Sequence, residues 1–182
     1  MNRRKLEAEE VRDAVLFVSG QLDLRMGGPS FQDFVVEKPE HSPHYQYHLH
    51  DPEDPKSHRR SIYRFIVRSQ QQPFMTLLDC ADPSMQVGRR NESVSPVQAL
   101  TMLNNALILS MARHFAVKVE QSEGDLPAKV RRAYYEAVGH PPSASNQKAL
   151  VSYIKEFGLA TEAGLANFCR VLFNLNEFSF VD

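Results

Sequence analysis

Apolar residues return at helical spacing over most of this chain, and the runs are bounded by residues that start or stop helices, which leaves little room for an extensive sheet. Between Arg3 and Val18 the positions Leu6, Val11, Ala14, Val15 and Val18 follow that spacing, with Glu7, Glu9, Arg12 and Asp13 interleaved and Gly20 as a stop. Ser95 followed by Pro96, with Gln98 three residues after the serine, reads as a cap and first turn. It opens a helix predicted over 96–120, where Leu100, Leu103, Leu107, Met111 and Phe115 recur. Further helices are predicted over 126–138 after Asp125, over 145–157 ending at Gly158, and over 162–174 after Thr161. Only 61–68, rich in β-branched and aromatic residues, reads as a strand, with Arg64 and Arg68 on the same face as Ile62 and Ile66. The expected fold is mainly α, a helical bundle-like domain with a long ordered loop and at most a small β element.

That loop spans 26–58, from Met26-Gly27-Gly28-Pro29 through the prolines at 39, 43, 52 and 55, with room for one strand. Loops of this length are functional or tied down by their neighbours, and contacts with the helices are expected to order this one. At 182 residues the chain suits one domain, 1–182, with a single substantial core. Its 21 Lys and Arg against 22 Asp and Glu give a net charge of -1, so there is no general pull toward nucleic acid or an anionic membrane. No apolar run approaches the roughly 20 residues needed to cross a bilayer, and the start Met1-Asn2-Arg3-Arg4-Lys5 lacks the apolar stretch of a signal peptide. Membrane insertion is not expected. Cys80 and Cys169 have neither zinc-ligand nor haem-attachment spacing, no cofactor is expected, and whether the two thiols pair is open.

The most unusual polar stretch is Arg89-Arg90-Asn91, just before the Pro96 helix, where free N–H groups already carry partial positive charge. Guanidinium groups there need an anion. Asp79 and Asp82 are the nearest internal candidates, and the external alternative is an acidic ligand. Arg59-Arg60 poses the same choice, with Glu7 and Glu177 as further internal partners, and internal pairing is the favoured reading. If the cluster is buried, Arg90→Ala should cost about 3 kcal/mol. Gln98 and Asn104 read as a cap and as a backbone-bonding residue inside a helix, and Glu177 either as an acid or base in a cleft or as an arginine partner beside the apolar anchor Phe178. His44, His48 and His50 would share a face of an extended backbone beside Asp51, as metal ligands can. The favoured reading is a solvated or hydrogen-bonded loop.

Taken in order, Arg3-Arg4-Lys5-Leu6-Glu7-Ala8-Glu9, Arg12-Asp13, Met26-Gly27-Gly28-Pro29, Arg59-Arg60-Ser61-Ile62-Tyr63, Asp79 to Pro83, Arg89-Arg90-Asn91, Pro96-Val97-Gln98-Ala99-Leu100, Asn104 and Asn176-Glu177-Phe178 resemble the planctomycete-type domain of unknown function numbered fifteen fifty-three. The resemblance implies a C-terminal domain of a large exported protein, often with a cytochrome c-like domain upstream, and hence an extracytoplasmic location. It also implies that this chain is the C-terminal part of a larger family domain. Val87 stands where relatives commonly have a cysteine, and tryptophan and any haem motif are absent.

Two functions follow as expectations. The first is a non-catalytic helical domain whose partners are the preceding domains of the same polypeptide, with its arginines saturated from within. The second is a binding or catalytic cleft for an acidic or sulfated carbohydrate or a small anion, with those arginines left open. No nucleophile elbow, phosphate loop or spaced pair of catalytic carboxylates identifies a reaction.

Overall fold

The computed structural model describes residues 3–38, 40–156 and 162–181. The protein is mainly helical, with α1 Ala8–Val18, α2 Pro73–Leu77, α3 Pro96–Asn104, α4 Ala106–Glu120, α5 Leu126–Val138, α6 Ala144–Glu156, α7 Glu162–Phe173 and α8 Asn176–Ser179. Its β structure is two small antiparallel pairs. β1 Arg4–Lys5 pairs with β4 Phe180–Val181, and β2 Val35–Glu37 pairs with β3 His44–Gln46.

The core lies where α4 runs along α7. Ile108, Met111, Phe115 and Val119 meet Leu165, Phe168, Cys169, Leu172 and Phe173, all buried, with Val11, Val15 and Leu16 of α1 and Val130 and Tyr134 of α5 closing the cluster. The Phe115 and Phe173 rings stack with centroids 5.8 Å apart. No helix among the described residues is long and apolar enough to cross a membrane. Cys80 is half-buried, Cys169 is buried, and both are free thiols.

Several boundaries differ from those read in the sequence. The first helix begins at Ala8 rather than Arg3, because the Glu10 carboxylate accepts from the Glu7 N–H at 2.8 Å and fixes the helix start there, while Arg4 and Lys5 are drawn into the strand with Phe180 and Val181. The single helix expected over 96–120 is divided at Asn105, whose backbone is extended and whose side chain caps α4 by accepting from Leu107 N–H at 2.9 Å. The stop and start signals at Gly158 and Thr161 lie outside the described residues.

The strand expected over 61–68 does not form. Ser61–Tyr63 is a 3-10 turn, and the extended backbone after it makes one bridge, between Phe31 and Arg64. Arg64 turns inward to Asp33 while Ile62 and Ile66 are exposed. The 26–58 segment carries both strands of one sheet and 3-10 turns at Tyr47–Leu49 and Pro55–Ser57. Helix side chains order it: Arg12 of α1 reaches Ser57, and Glu53 bonds to Ser110 and His114 of α4.

Candidate functional site

Two polar networks and one cavity hold most of the residues singled out in the sequence. The first network grows from α1. Arg12 faces inward on the helix, is 4% exposed, and donates to Arg59 O at 3.0 Å, to Ser61 Oγ at 3.1 Å and to Ser57 O. Burial pulls its guanidinium down to about 10, against the charges of Asp13 and Asp33. Asp13 accepts from the Ser61 N–H and hydroxyl at 2.8 and 2.7 Å. Consecutive residues of one helix thus grip the chain at 57–61.

That grip presents Arg59 to the Met26–Pro29 loop. Gly27 and Gly28 adopt positive φ, which an L side chain rarely tolerates, and the loop turns its carbonyls onto the guanidinium. Arg59 donates to Pro29 O at 2.6 Å, to Arg25 O at 3.3 Å and to Gly27 O, and it lies over the Tyr63 ring at 4.0 Å. Backbone carbonyls and an aromatic face take up this cation, not a carboxylate as expected. Arg60 is exposed.

The second network joins β1 to the start of α3. Asp79 sits at φ 67, in the left-handed region, so its carboxylate turns back toward the chain that follows. It accepts from Lys5 Nζ at 2.8 Å, Gln98 Nε2 at 3.0 Å, Ser93 N at 2.8 Å and Ser93 Oγ at 2.8 Å. Burial opposes its ionisation, but the bonds from Lys5, Ser93 and Gln98 outweigh that and hold the carboxyl below its ordinary value. Arg90 pairs with Glu9 at 2.7 Å and Glu7 at 3.2 Å.

Of the four charges expected to meet at the entrance to the Pro96 helix, only Asp79 and Arg90 come to the same place, and they take other partners. Asp79, Arg90 and Asn91 line one small cavity there, yet Asp79 takes Lys5 and Arg90 takes the glutamates of α1. Asp82 is not part of the network: it accepts from Ser84 N–H at 2.8 Å. Arg89 is exposed and pairs with Glu92 at 3.5 Å. Gln98 is buried within the network, and Asn104 donates back to Leu100 O at 2.9 Å as expected for a residue inside a helix. Glu177 is exposed on α8, on a cavity also lined by Arg3, while Phe178 beside it is buried.

The cavity, of about 390 Å³, opens between the Tyr47–Leu49 turn, the start of α2 and the corner between α3 and α4. Asp33 and His50 line it. Asp33 holds Arg64 at 2.9 Å through Oδ2, with both side chains under a tenth exposed, while its Oδ1 and the His50 Nε2 are buried without a hydrogen-bond partner among the described residues. His44 and His48 are exposed, and no three His, Cys, Asp or Glu side chains among the described residues are placed to hold a metal ion.

The family model described as "Protein of unknown function (DUF1553)" matches residues 1–154 of the 182. The chain belongs to this family. No curated protein and no solved structure matches it. In this DUF1553 chain Arg12-Asp13, Met26 to Pro29, Arg59, Asp79, Arg90 and Gln98 all build the two networks, whereas Asn176-Glu177-Phe178 falls beyond the matched stretch.

Sequence reasoning missed Lys5, Ser93, Asp13 and Asp33 as site residues. Lys5 sits in a basic run that looks solvated, and its role arises from pairing with the far end of the chain. Asp13 had a visible signal, an acid adjoining an arginine on a helix otherwise facing the core. Asp33 had none, because nothing local marks which loop acid will be buried.

Proposed function

We propose that this chain is a non-catalytic helical domain that packs against the preceding parts of a larger, exported polypeptide. The observation that carries this reading is the internal use of its cations: Arg12 and Arg59 are taken up by backbone carbonyls, Arg90 by Glu7 and Glu9, and Lys5 by Asp79. A cleft for an acidic or sulfated carbohydrate needs guanidinium forks pointing together into open space. Here Arg59 and Arg90 serve separate networks, Arg60 and Arg89 are exposed, and the cavity lined by Asp33 contains none of the four.

The outer face of α3 supports packing as the alternative use of surface. Val97 and Leu100 are 52% and 58% exposed, and Val94 just before the helix is 76% exposed. Hydroxyl-radical footprinting of this chain alone and within the longer polypeptide tests the reading. Val94, Val97 and Leu100 should be labelled in the chain alone and protected in the longer protein. Equal labelling in both would remove the support for packing.

A further inference from the structure

We propose that the groove between α5 and the start of α6 docks a short peptide segment carrying one carboxylate beside an apolar side chain. The groove uses none of the α3 residues that carry the packing reading, so either can fail without the other.

Val130, Ala133 and Tyr134 turn α5 toward the core, and Ala128, Arg131, Arg132 and Tyr135 recur at helical spacing on the opposite face. With Pro141 and Gln147 they line a groove of about 550 Å³. Its side chains are reachable. Tyr135 is 56% exposed, the Arg132 side chain is 60% exposed, and Ala128, Arg131 and Pro141 are exposed as well. Gln147 gives its amide to Pro127 O at 3.0 Å, which ties the start of α6 to the first turn of α5 and holds the two walls together.

The cations of this surface outnumber its carboxylates. Arg132 pairs with Glu136 at 3.0 Å, and the same carboxylate also holds Lys118 at 2.8 Å. Arg131 has no hydrogen-bond or ion-pair partner among the described residues. The groove therefore presents one guanidinium fork with no anion on it, and a carboxylate matches that fork in plane and charge.

Shape and charge together narrow the class. A small ligand binds where a pocket takes most of its surface out of water, whereas the walls here are exposed, so an occupant gains by running on past the groove as a peptide does. A nucleic acid or a sulfated glycan would find a single unpaired guanidinium, and the chain's net charge of -1 adds no attraction for a polyanion. One carboxylate for Arg131 and one apolar side chain against Ala128, Tyr135 and Pro141 use what the groove offers. Exposed ion pairs contribute little alone, so the apolar contact must share the affinity.

Amide chemical shifts of the whole chain, followed by NMR during titration with acetylated, amidated nonapeptides, test the site. The probes carry Phe, Tyr or Leu at the centre with Asp or Glu beside it, and each has an Asn or Gln counterpart. At least one acidic peptide should shift the amides of Arg131, Arg132, Tyr135 and Gln147 saturably, with Kd of about 1 mM or tighter. Arg131→Glu turns attraction into repulsion and should weaken that peptide by about tenfold with the melting temperature unchanged, since the side chain is exposed and unpartnered. Tyr135→Ala removes the apolar wall, should weaken it by a similar factor, and decides the matter if Arg131→Glu folds poorly. No saturable shift with any acidic peptide, equal affinity for its neutral counterpart, tighter binding of oligothymidylate or a sulfated disaccharide at the same amides, or binding undiminished by the variants would each overturn the proposal.

Discussion

Burying a guanidinium costs several kcal/mol unless its protons are taken up by good partners, and Arg12 and Arg59 give their Nη protons largely to backbone carbonyls, while Arg59 Nε is buried without a partner among the described residues. Asp79 and Arg90 show how exposure decides what such a residue contributes. Asp79 and Lys5 have side chains 15% and 10% exposed, so Asp79→Asn, which keeps the side chain's tolerance of positive φ, should cost about 2 kcal/mol in urea denaturation at neutral pH. Arg90 and its partners Glu7 and Glu9 are each about a third to a half exposed, and Arg90→Ala should cost about 1 kcal/mol or less. The pair also differs in pH dependence. The unfolded chain protonates Asp79 near the ordinary carboxyl value of about 4, whereas the fold keeps it charged to lower pH. The unfolded state then binds more protons, so Asp79's contribution is complete above about pH 4 and is lost as pH falls through the lower folded value. Asp79→Asn should flatten the stability profile below that point, and a slope equal to wild type would refute the assignment. Of the charges the sequence grouped at this helix entrance, Asp79 and Arg90 come together and Asp82 and Arg89 do not. The first two were mispaired because adjacency along the chain favours Asp79 with Arg90, while β1 delivers Lys5 from the other end.

At the scale of elements, the helices were legible wherever a cap and an apolar period agreed, as for Asp125 and α5, whose cap accepts from Ala128 N–H at 3.0 Å. The corner between α3 and α4 was not legible. Leu100, Leu103, Leu107, Met111 and Phe115 step at helical intervals straight through it, and neither Gly nor Pro marks the break. The signal was Asn105, a strong cap residue, and Leu100 is exposed, as a change of axis allows. Asn105→Ala should remove the cap bond to Leu107 and cost about 1 kcal/mol, read as a lower urea midpoint with an unchanged slope. A change below the error of the midpoint would mean that packing alone sets the corner. The failed strand at 61–68 has the complementary explanation. β propensity expresses side-chain packing on a paired surface, and this segment has Phe31 to bridge rather than a strand to join, so Arg64 is buried and Ile62 exposed.

Over the whole molecule, the least legible feature is the closure of the two ends, since two-residue strands carry no periodicity and the pairing of Arg4 with Val181 and Lys5 with Phe180 spans almost the full chain. The closure is physically coupled to the core. Phe178 is 4% exposed and sits 5.2 Å from the Phe173 ring, which in turn stacks on Phe115 of α4. One residue further on, Ser179 O accepts from Leu6 N–H at 2.8 Å, and the same strand carries Lys5 to Asp79. Phe178→Ala opens a cavity beside the central aromatic stack and should cost about 3 to 4 kcal/mol. If the ends are held by the core, the loss must travel: the Leu6 amide should exchange faster by the same free energy as amides in α4 and α7, because its acceptor depends on the segment that Phe178 anchors. Native-state hydrogen exchange distinguishes this from a local effect. A variant in which the α4 amides lose protection while Leu6 keeps its own would show that the β1–β4 pair is an independent clasp, and the Lys5–Asp79 network would then owe its geometry to α1 and α3 alone.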